Sequence, residues 1–378
     1  MPGSTIKTIE GIPLRIPFAK AFTMATAHQA TRDEVEVYVV RVTTGDGVVG
    51  IGETQAWRRQ GSGETLRGLH SKLCEIAGPA LIGLSIHEIN AAMQRLDDRL
   101  AGGLYLQAAI GDALYDAKAR TLGLSVAQML GGGQAQEIPV GIALGIAGDA
   151  AATVDAAQEA YDAGYRHLRI KIGLSARKDL ANLQALRAHF GDKVHLRADA
   201  NGNLRYGDAL RLLSQLEPLD VEFVEQPLPA WDIAGMARLA AAVRVPLSAD
   251  ESISDVHSLA NVASHQGARV IQTKSAKNGG IHTIRKLWTL AEALGIDIFP
   301  GNHPSTSLNV AAVSQLTASW ARPLLPGDFQ TGLVDMLADD IVEEPVRVEN
   351  GVVKVPPGPG MGVQLSETKL KRYRVDTP

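Results

Sequence analysis

A chain of 378 residues, 45% hydrophobic and 21% charged, is long enough for one large barrel or two domains and too apolar for extended disorder. Its 37 basic and 41 acidic residues leave a net charge of −4, without the basic excess that a phosphate backbone demands, so no nucleic-acid partner is expected. The single cysteine, Cys74, cannot form an intrachain bridge, and the N-terminus lacks a basic stretch followed by an apolar run. No apolar run reaches the ~18 residues of a membrane span, and a cytoplasmic protein without a membrane partner is expected.

Strand-like segments come first, at 5–18, 34–43 and 48–54, where β-branched residues are frequent. The turn Thr44-Gly45-Asp46-Gly47 joins the last two, and its Asp-Gly pair suits a tight hairpin. From about 64 to 122 the pattern becomes helical, with Ile110, Leu114 and Ala117 sharing one face, and Gly131, Gly132 and Gly133 mark its end. Short apolar strands then alternate with amphipathic helices. The strands are expected at 138–144, 167–172, 194–199, 221–225, 246–250, 269–274, 296–299 and 324–328.

One helix between them carries Leu180, Leu183, Leu186 and Phe190, another Ile284, Leu287, Trp288 and Ala291; Gly164, Gly191 and Gly295 stand where helices should end. Repeated strand–helix units predict a parallel sheet with right-handed crossovers, and eight of them a closed barrel. After about 345 the chain turns strand-like again around Asn350-Gly351, which suits a segment returning to the N-terminal unit. The expected division is a capping unit over 1–133, a catalytic barrel over 134–335 and a returning segment over 336–378.

In such a barrel the residues at the C-terminal strand ends share one mouth. Those ends place Lys171, Asp199, Glu225, Asp250, Lys274, Asn302-His303 and Asp328 24 to 28 residues apart, about one strand–helix unit each. Asp199, Glu225 and Asp250 come from three consecutive strands. Converging in a low-dielectric mouth they would repel one another unless a cation sat among them, and all-oxygen ligation suits a hard divalent ion such as Mg²⁺. Arg169 and Lys171 alternate onto one face, and Lys274 comes from the opposite wall. A cation near each amine disfavours its charged form, so Mg²⁺ and Arg169 are expected to lower the pKa of Lys171 toward that of a usable base.

RIKIG at 169–173, DAN at 199–201, VEQP at 224–227, ADES at 249–252 and KSAKNGG at 274–280, with GIGET at 50–54, resemble the enolase superfamily, and within it the muconate lactonizing enzymes of the mandelate racemase / muconate lactonizing enzyme family. The likeness runs nearly end to end. It implies a modified (β/α)7β TIM-like barrel with an N-terminal α+β cap completed by the C-terminal segment. It also implies Asp199, Glu225 and Asp250 as Mg²⁺ ligands, and Lys171 and Lys274, with Arg169 beside them, as the acid/base set. The chemistry implied is abstraction of the proton α to a substrate carboxylate through an enediolate, by a racemase, an epimerase or a muconate-type cycloisomerase. A hydroxy-acid dehydratase, a lyase, is the alternative that the same metal and base would serve.

This chain departs from the family pattern where Arg169 replaces the first lysine of a KxK motif, and where Asp328-Phe329-Gln330 matches neither the glutamate of cycloisomerases nor the DxD of dipeptide epimerases. The strand-six partner that a racemase-like histidine dyad needs is missing, so His303 is a substrate contact or a loop residue. Asn201, Asn302 and Asp328 join it as candidate substrate contacts. Cap loops that close over such a mouth would supply Lys20, Arg58 and Arg59 to a second anionic group. Symmetric homo-oligomers are common in the family.

Overall fold

The computed structural model describes residues 2–23, 31–56, 63–133, 135–145, 149–328 and 336–376. β1 (Ile6–Thr23), β2 (Thr31–Thr44) and β3 (Val49–Gln55) form an antiparallel sheet in that order. The β2–β3 turn is closed by Gly47 N donating to Thr44 O at 3.1 Å. β2 is central: Val35, Val37 and Val39 on one face and Tyr38, Val40 and Val42 on the other are all buried.

The helical part follows as α1 (Leu66–Lys72), a π-helical turn (Leu73–Ala77), α2 (Gly78–Leu81), α3 (Ile89–Asp97), α4 (Leu104–Leu122) and α5 (Val126–Met129). Ile110, Leu114 and Ala117 of α4 are buried, as their spacing predicts. α4 lies directly on β3 because Gly50 and Gly52 carry no side chain. A Cβ on either would come within 2.1 Å of Ala113 O or Ala109 O respectively. That contact accounts for the glycines of the GIGET segment.

A short strand β4 (Glu137–Pro139) precedes the barrel, whose elements are β5 (Ile142–Leu144), α6 (Ala150–Asp162), β6 (His167–Lys171), α7 (Ala176–Phe190), β7 (His195–Asp199), α8 (Tyr206–Leu216), β8 (Val221–Glu225), α9 (Ile233–Ala242), β9 (Leu247–Ala249), α10 (Val256–Ser264), β10 (Val270–Lys274), α11 (Gly280–Ala293), β11 (Asp297–Gly301) and α12 (Ser307–Ser319). Strands β5 to β11 form one parallel sheet in sequence order. Leu183, Leu186 and Phe190 of α7 and Ile284, Leu287, Trp288 and Ala291 of α11 turn inward, and Gly164, Gly191 and Gly295 follow their helices with positive φ. No described helix is long and apolar enough to cross a membrane.

Two strand boundaries differ from expectation. The segment 138–144 is broken at Val140-Gly141, so that β4 leaves the barrel sheet and only β5 stays in it. The segment 324–328 is not a regular strand: it closes the barrel through isolated parallel bridges, Gly301 with Asp328 on one side and Val140 with Gly327 on the other. Proline at 323 and 326 removes backbone donors, which leaves too few bonds for a ladder.

The returning segment splits its work. β12 (Val348–Glu349) and β13 (Val352–Lys354) form a hairpin around Asn350-Gly351 that pairs with β4 rather than with the N-terminal sheet. The cap is reached by α13 (Glu367–Tyr373), which packs on β1, and by Val375 N, which donates to Pro13 O at 3.0 Å.

Cap and barrel are joined by buried carboxylates that meet helix N-termini. Glu53 of β3 accepts from Thr306 N (3.0 Å), Thr306 Oγ1 and Asn309 N (3.3 Å) at the start of α12. Asp112 of α4 accepts from Ile281 N (2.8 Å) in α11 and from Ser275 Oγ (3.1 Å). Asp116, one turn on, accepts from Ile51 N (3.0 Å) and Met361 N (2.6 Å), tying β3 and the returning segment to α4.

Candidate active site

Strand alternation and register assemble the mouth. Lys171 of β6 pairs with Asp199 of β7, and Asp199 with Glu225 of β8, so these side chains emerge at one level. Asp250 directly follows β9, and Lys274 ends β10. Asp199, Glu225 and Asp250 are fully buried, and the two lysines come from the strands on either side of them, β6 and β10.

Lys171 Nζ donates to Asp199 Oδ2 (2.5 Å) and to Asn201 Oδ1 (2.7 Å). On the far wall Lys274 Nζ donates to Asp250 Oδ2 (2.5 Å). Asn201 sits at φ 44° and passes the network on, its Nδ2 donating to Glu251 Oε1 at 3.1 Å.

Arg169 does not act on Lys171 as an isolated neighbouring cation. Its guanidinium lies among the acids, donating from Nη1 to Asp199 Oδ2 (2.5 Å) and Glu225 Oε2 (3.0 Å), and from Nε to Asp328 Oδ2. Only a branched cation with donors on several edges can bridge three carboxylates in this way. Asp328 is thereby drawn into the ion-pair network.

Burial raises all three acids, and their neighbours then separate them. Lys171 and Arg169 bring Asp199 below its ordinary value, and Lys274 and Lys277 do the same for Asp250. Glu225 is pushed well above its ordinary value by burial, and the like charges of Asp199 and Asp250 add to that rise against the opposing effect of Arg169. Lys274 is lowered by burial, but Asp250, Glu225 and Glu251 together carry it above its ordinary value.

Glu225 Oε1 is buried without a hydrogen-bond partner, and Lys274 Nζ stands 4.0 Å from it. An orphaned carboxylate oxygen between two further buried acids is the donor set a hard divalent cation requires. The residues present therefore fit such an ion, which Asp199, Glu225 and Asp250 would hold.

His303 is buried and stacks on Tyr105 of α4, ring centroids 6.1 Å apart. Burial, then Lys274, holds its imidazole well below the ordinary value. Asn302 Nδ2 donates to Ser305 Oγ at 3.1 Å, inside the loop that Glu53 grips at Thr306. The side chain of Lys20, and Arg58 and Arg59, lie outside the described residues.

Comparison with known proteins follows the same lines. Residues 5–131 match the N-terminal domain of the mandelate racemase / muconate lactonizing enzyme family, and residues 152–369 match the enolase C-terminal domain-like family. The chain belongs to the mandelate racemase / muconate lactonizing enzyme family. It is 32% identical to the chloromuconate cycloisomerase of Cupriavidus necator, over 97% of each chain. It is 30% identical to the L-Ala-D/L-Glu epimerase of Bacillus subtilis, over 94% of this chain and 95% of that one. A crystal structure of muconate lactonizing enzyme from Pseudomonas fluorescens, complexed with muconolactone, superposes with a TM-score of 0.91 at 30% identity, covering 99% of this chain and 100% of that one.

For a member of this family, two residues at the mouth were missed by strand-end reasoning. Lys277 lies one turn past Lys274; its Nζ stands 3.0 Å from Asp250 Oδ1 and donates to Asp250 O (2.5 Å) and Ile253 O (2.9 Å). Glu251 follows Asp250 and would alternate away from the mouth in a regular strand, yet β9 ends at Ala249 and frees it to turn back. The second lysine of KSAKNGG was the signal for the first, and the glutamate of ADES for the second.

Proposed function

We propose that the chain is an Mg²⁺-dependent isomerase that moves the proton α to a substrate carboxylate, with Lys171 and Lys274 as the proton carriers. The observation that carries this reading is the pair of lysines on β6 and β10, one on each side of three buried carboxylates. Mg²⁺ held by Asp199, Glu225 and Asp250 would bind the substrate's carboxylate oxygens and withdraw charge from them, which makes the neighbouring C–H bond acidic.

The protein's own residues supply the rest. Asn201 and Asp199 fix Lys171 Nζ, and Asp250 fixes Lys274 Nζ, so each amine has a set direction of approach. In racemisation or epimerisation one amine takes the α-hydrogen as a proton, and the other, as an ammonium, gives one back on the opposite face. In cycloisomerisation of the muconate type a single lysine exchanges a proton at the carbon next to the carboxylate. Arg169 keeps its charge throughout and balances the acids.

The relatives, cycloisomerases and an epimerase, favour isomerisation over dehydration. His303 argues the same way, because an imidazole kept neutral by burial is a poor donor to a leaving hydroxyl. Incubation with candidate carboxylates in D₂O and Mg²⁺ tests the reading: deuterium should enter the α-position, and Lys171→Ala and Lys274→Ala should each abolish turnover. Normal turnover by either variant removes that lysine from proton transfer.

A further inference from the structure

At the opposite end of the barrel His167, His195 and Glu222 each offer a ligand atom, and these atoms lie within 4.8 Å of one another. The cluster is distinct from the mouth. His167 and His195 begin β6 and β7, four residues and so about 13 Å below Lys171 and Asp199. They pair in register on the same strand face, which stacks their rings at 4.4 Å and 7°.

Glu222 reaches them through a bulge: two β8 residues, Glu222 and Phe223, stand opposite the single β7 residue Arg197. A regular strand would turn Glu222 to the outer face.

From these residues we propose a second metal site at the foot of the barrel, for a borderline transition metal of the zinc class. Two imidazoles and one carboxylate are the donor set that Zn²⁺ prefers, whereas Mg²⁺ prefers the all-oxygen mouth. The carboxylate is held ready: Arg197 Nε donates to Glu222 Oε2 (2.5 Å), and His167 and Arg197 keep the acid at about 2 against the effect of burial. Arg197 also donates to Pro326 O (2.6 Å) and lies 3.2 Å from His167 Nδ1, so the whole group is anchored to the segment that closes the barrel.

Fully buried and packed against the rings of Phe223 (5.1 Å) and Phe299 (4.8 Å), Arg197 is fixed in place. The movable part is His195, which is exposed. Tetrahedral ligand atoms ~2.0 Å from zinc are about 3.3 Å apart, so separations of up to 4.8 Å must close by at most about 1.5 Å, with His195 swinging out of its stack. Metal at this end joins β6, β7 and β8, and its role is to hold the barrel together.

The test is a titration of the chelator-treated chain with Zn²⁺, and separately with Co²⁺ as a spectroscopic probe, comparing wild type, His195→Ala and Asp199→Asn. Wild type and Asp199→Asn should share a Zn²⁺ site that weakens by more than about tenfold in His195→Ala. The strong visible bands of four-coordinate Co²⁺ should appear in Asp199→Asn and be absent from His195→Ala. Equal Zn²⁺ affinity and stoichiometry in wild type and His195→Ala, or a Co²⁺ spectrum that Asp199→Asn abolishes, would overturn the assignment. Because Asp199→Asn disables only the mouth, failure of the foot site and failure of the proposed activity are read separately.

Discussion

Replacing Glu53 by Gln tests the joint between cap and barrel. The carboxylate is fully buried, and burial, with Asp340, raises its pKa from 4.5 to about 7 against the bonds from Thr306 and Gln55. That rise is worth about 3 kcal/mol. The folded value lies above the unfolded one, so between pH 4.5 and about 7 the unfolded chain has released a proton that the folded chain retains. Glu53's contribution is therefore fully present below pH 4.5 and is lost as pH rises through about 7.

Gln cannot titrate. The stability of wild type minus that of Glu53→Gln should fall by about 3 kcal/mol from about pH 4.5 to about pH 8. Asp112, raised by burial in the same direction to about 7, is common to both proteins and cancels in the difference. Urea denaturation across this range supplies the numbers. Parallel stability curves would refute the placement of Glu53 as a buried, titrating carboxylate at the start of α12.

Arg169→Ala should leave Asp199, Glu225 and Asp328 without their shared cation and cost about 3–5 kcal/mol in chelator. Denaturation in excess Mg²⁺ should show a smaller loss; an equal loss would place the ion elsewhere. Gly52→Ala, whose Cβ would meet Ala109 O at 2.1 Å, should cost about 1–3 kcal/mol by prising β3 from α4, and a thermal melt indistinguishable from wild type would contradict that packing.

The mouth was legible in the sequence because parallel strands recur at a nearly constant interval, so acids and lysines at their ends stood out against apolar runs. Its far wall was less so. The segment 324–328 looked like an eighth strand from its position, but its prolines leave it only isolated bridges, and 138–144 read as one strand because it carries no polar side chain to mark the break.

Residues whose direction depends on a break in regular structure were not foreseen. Glu222 turns inward through a bulge, and Glu251 turns back past the end of β9. Glu53 and Asp112 look like ordinary acids until the helices whose N-termini they meet are in place, because those partners lie 253 and 169 residues away. Arg169 was recognised as a substitution, yet its bridging of three acids follows from the geometry of its guanidinium and from where Asp328 closes the barrel.

The most direct test of the account is calorimetric titration of the metal-free chain with Mg²⁺, comparing wild type with Glu225→Gln, since the orphaned oxygen of Glu225 is the strongest sign of a bound ion. One Mg²⁺ per chain is expected in wild type, with affinity reduced by more than about tenfold in the variant. Equal binding by the two proteins would contradict it.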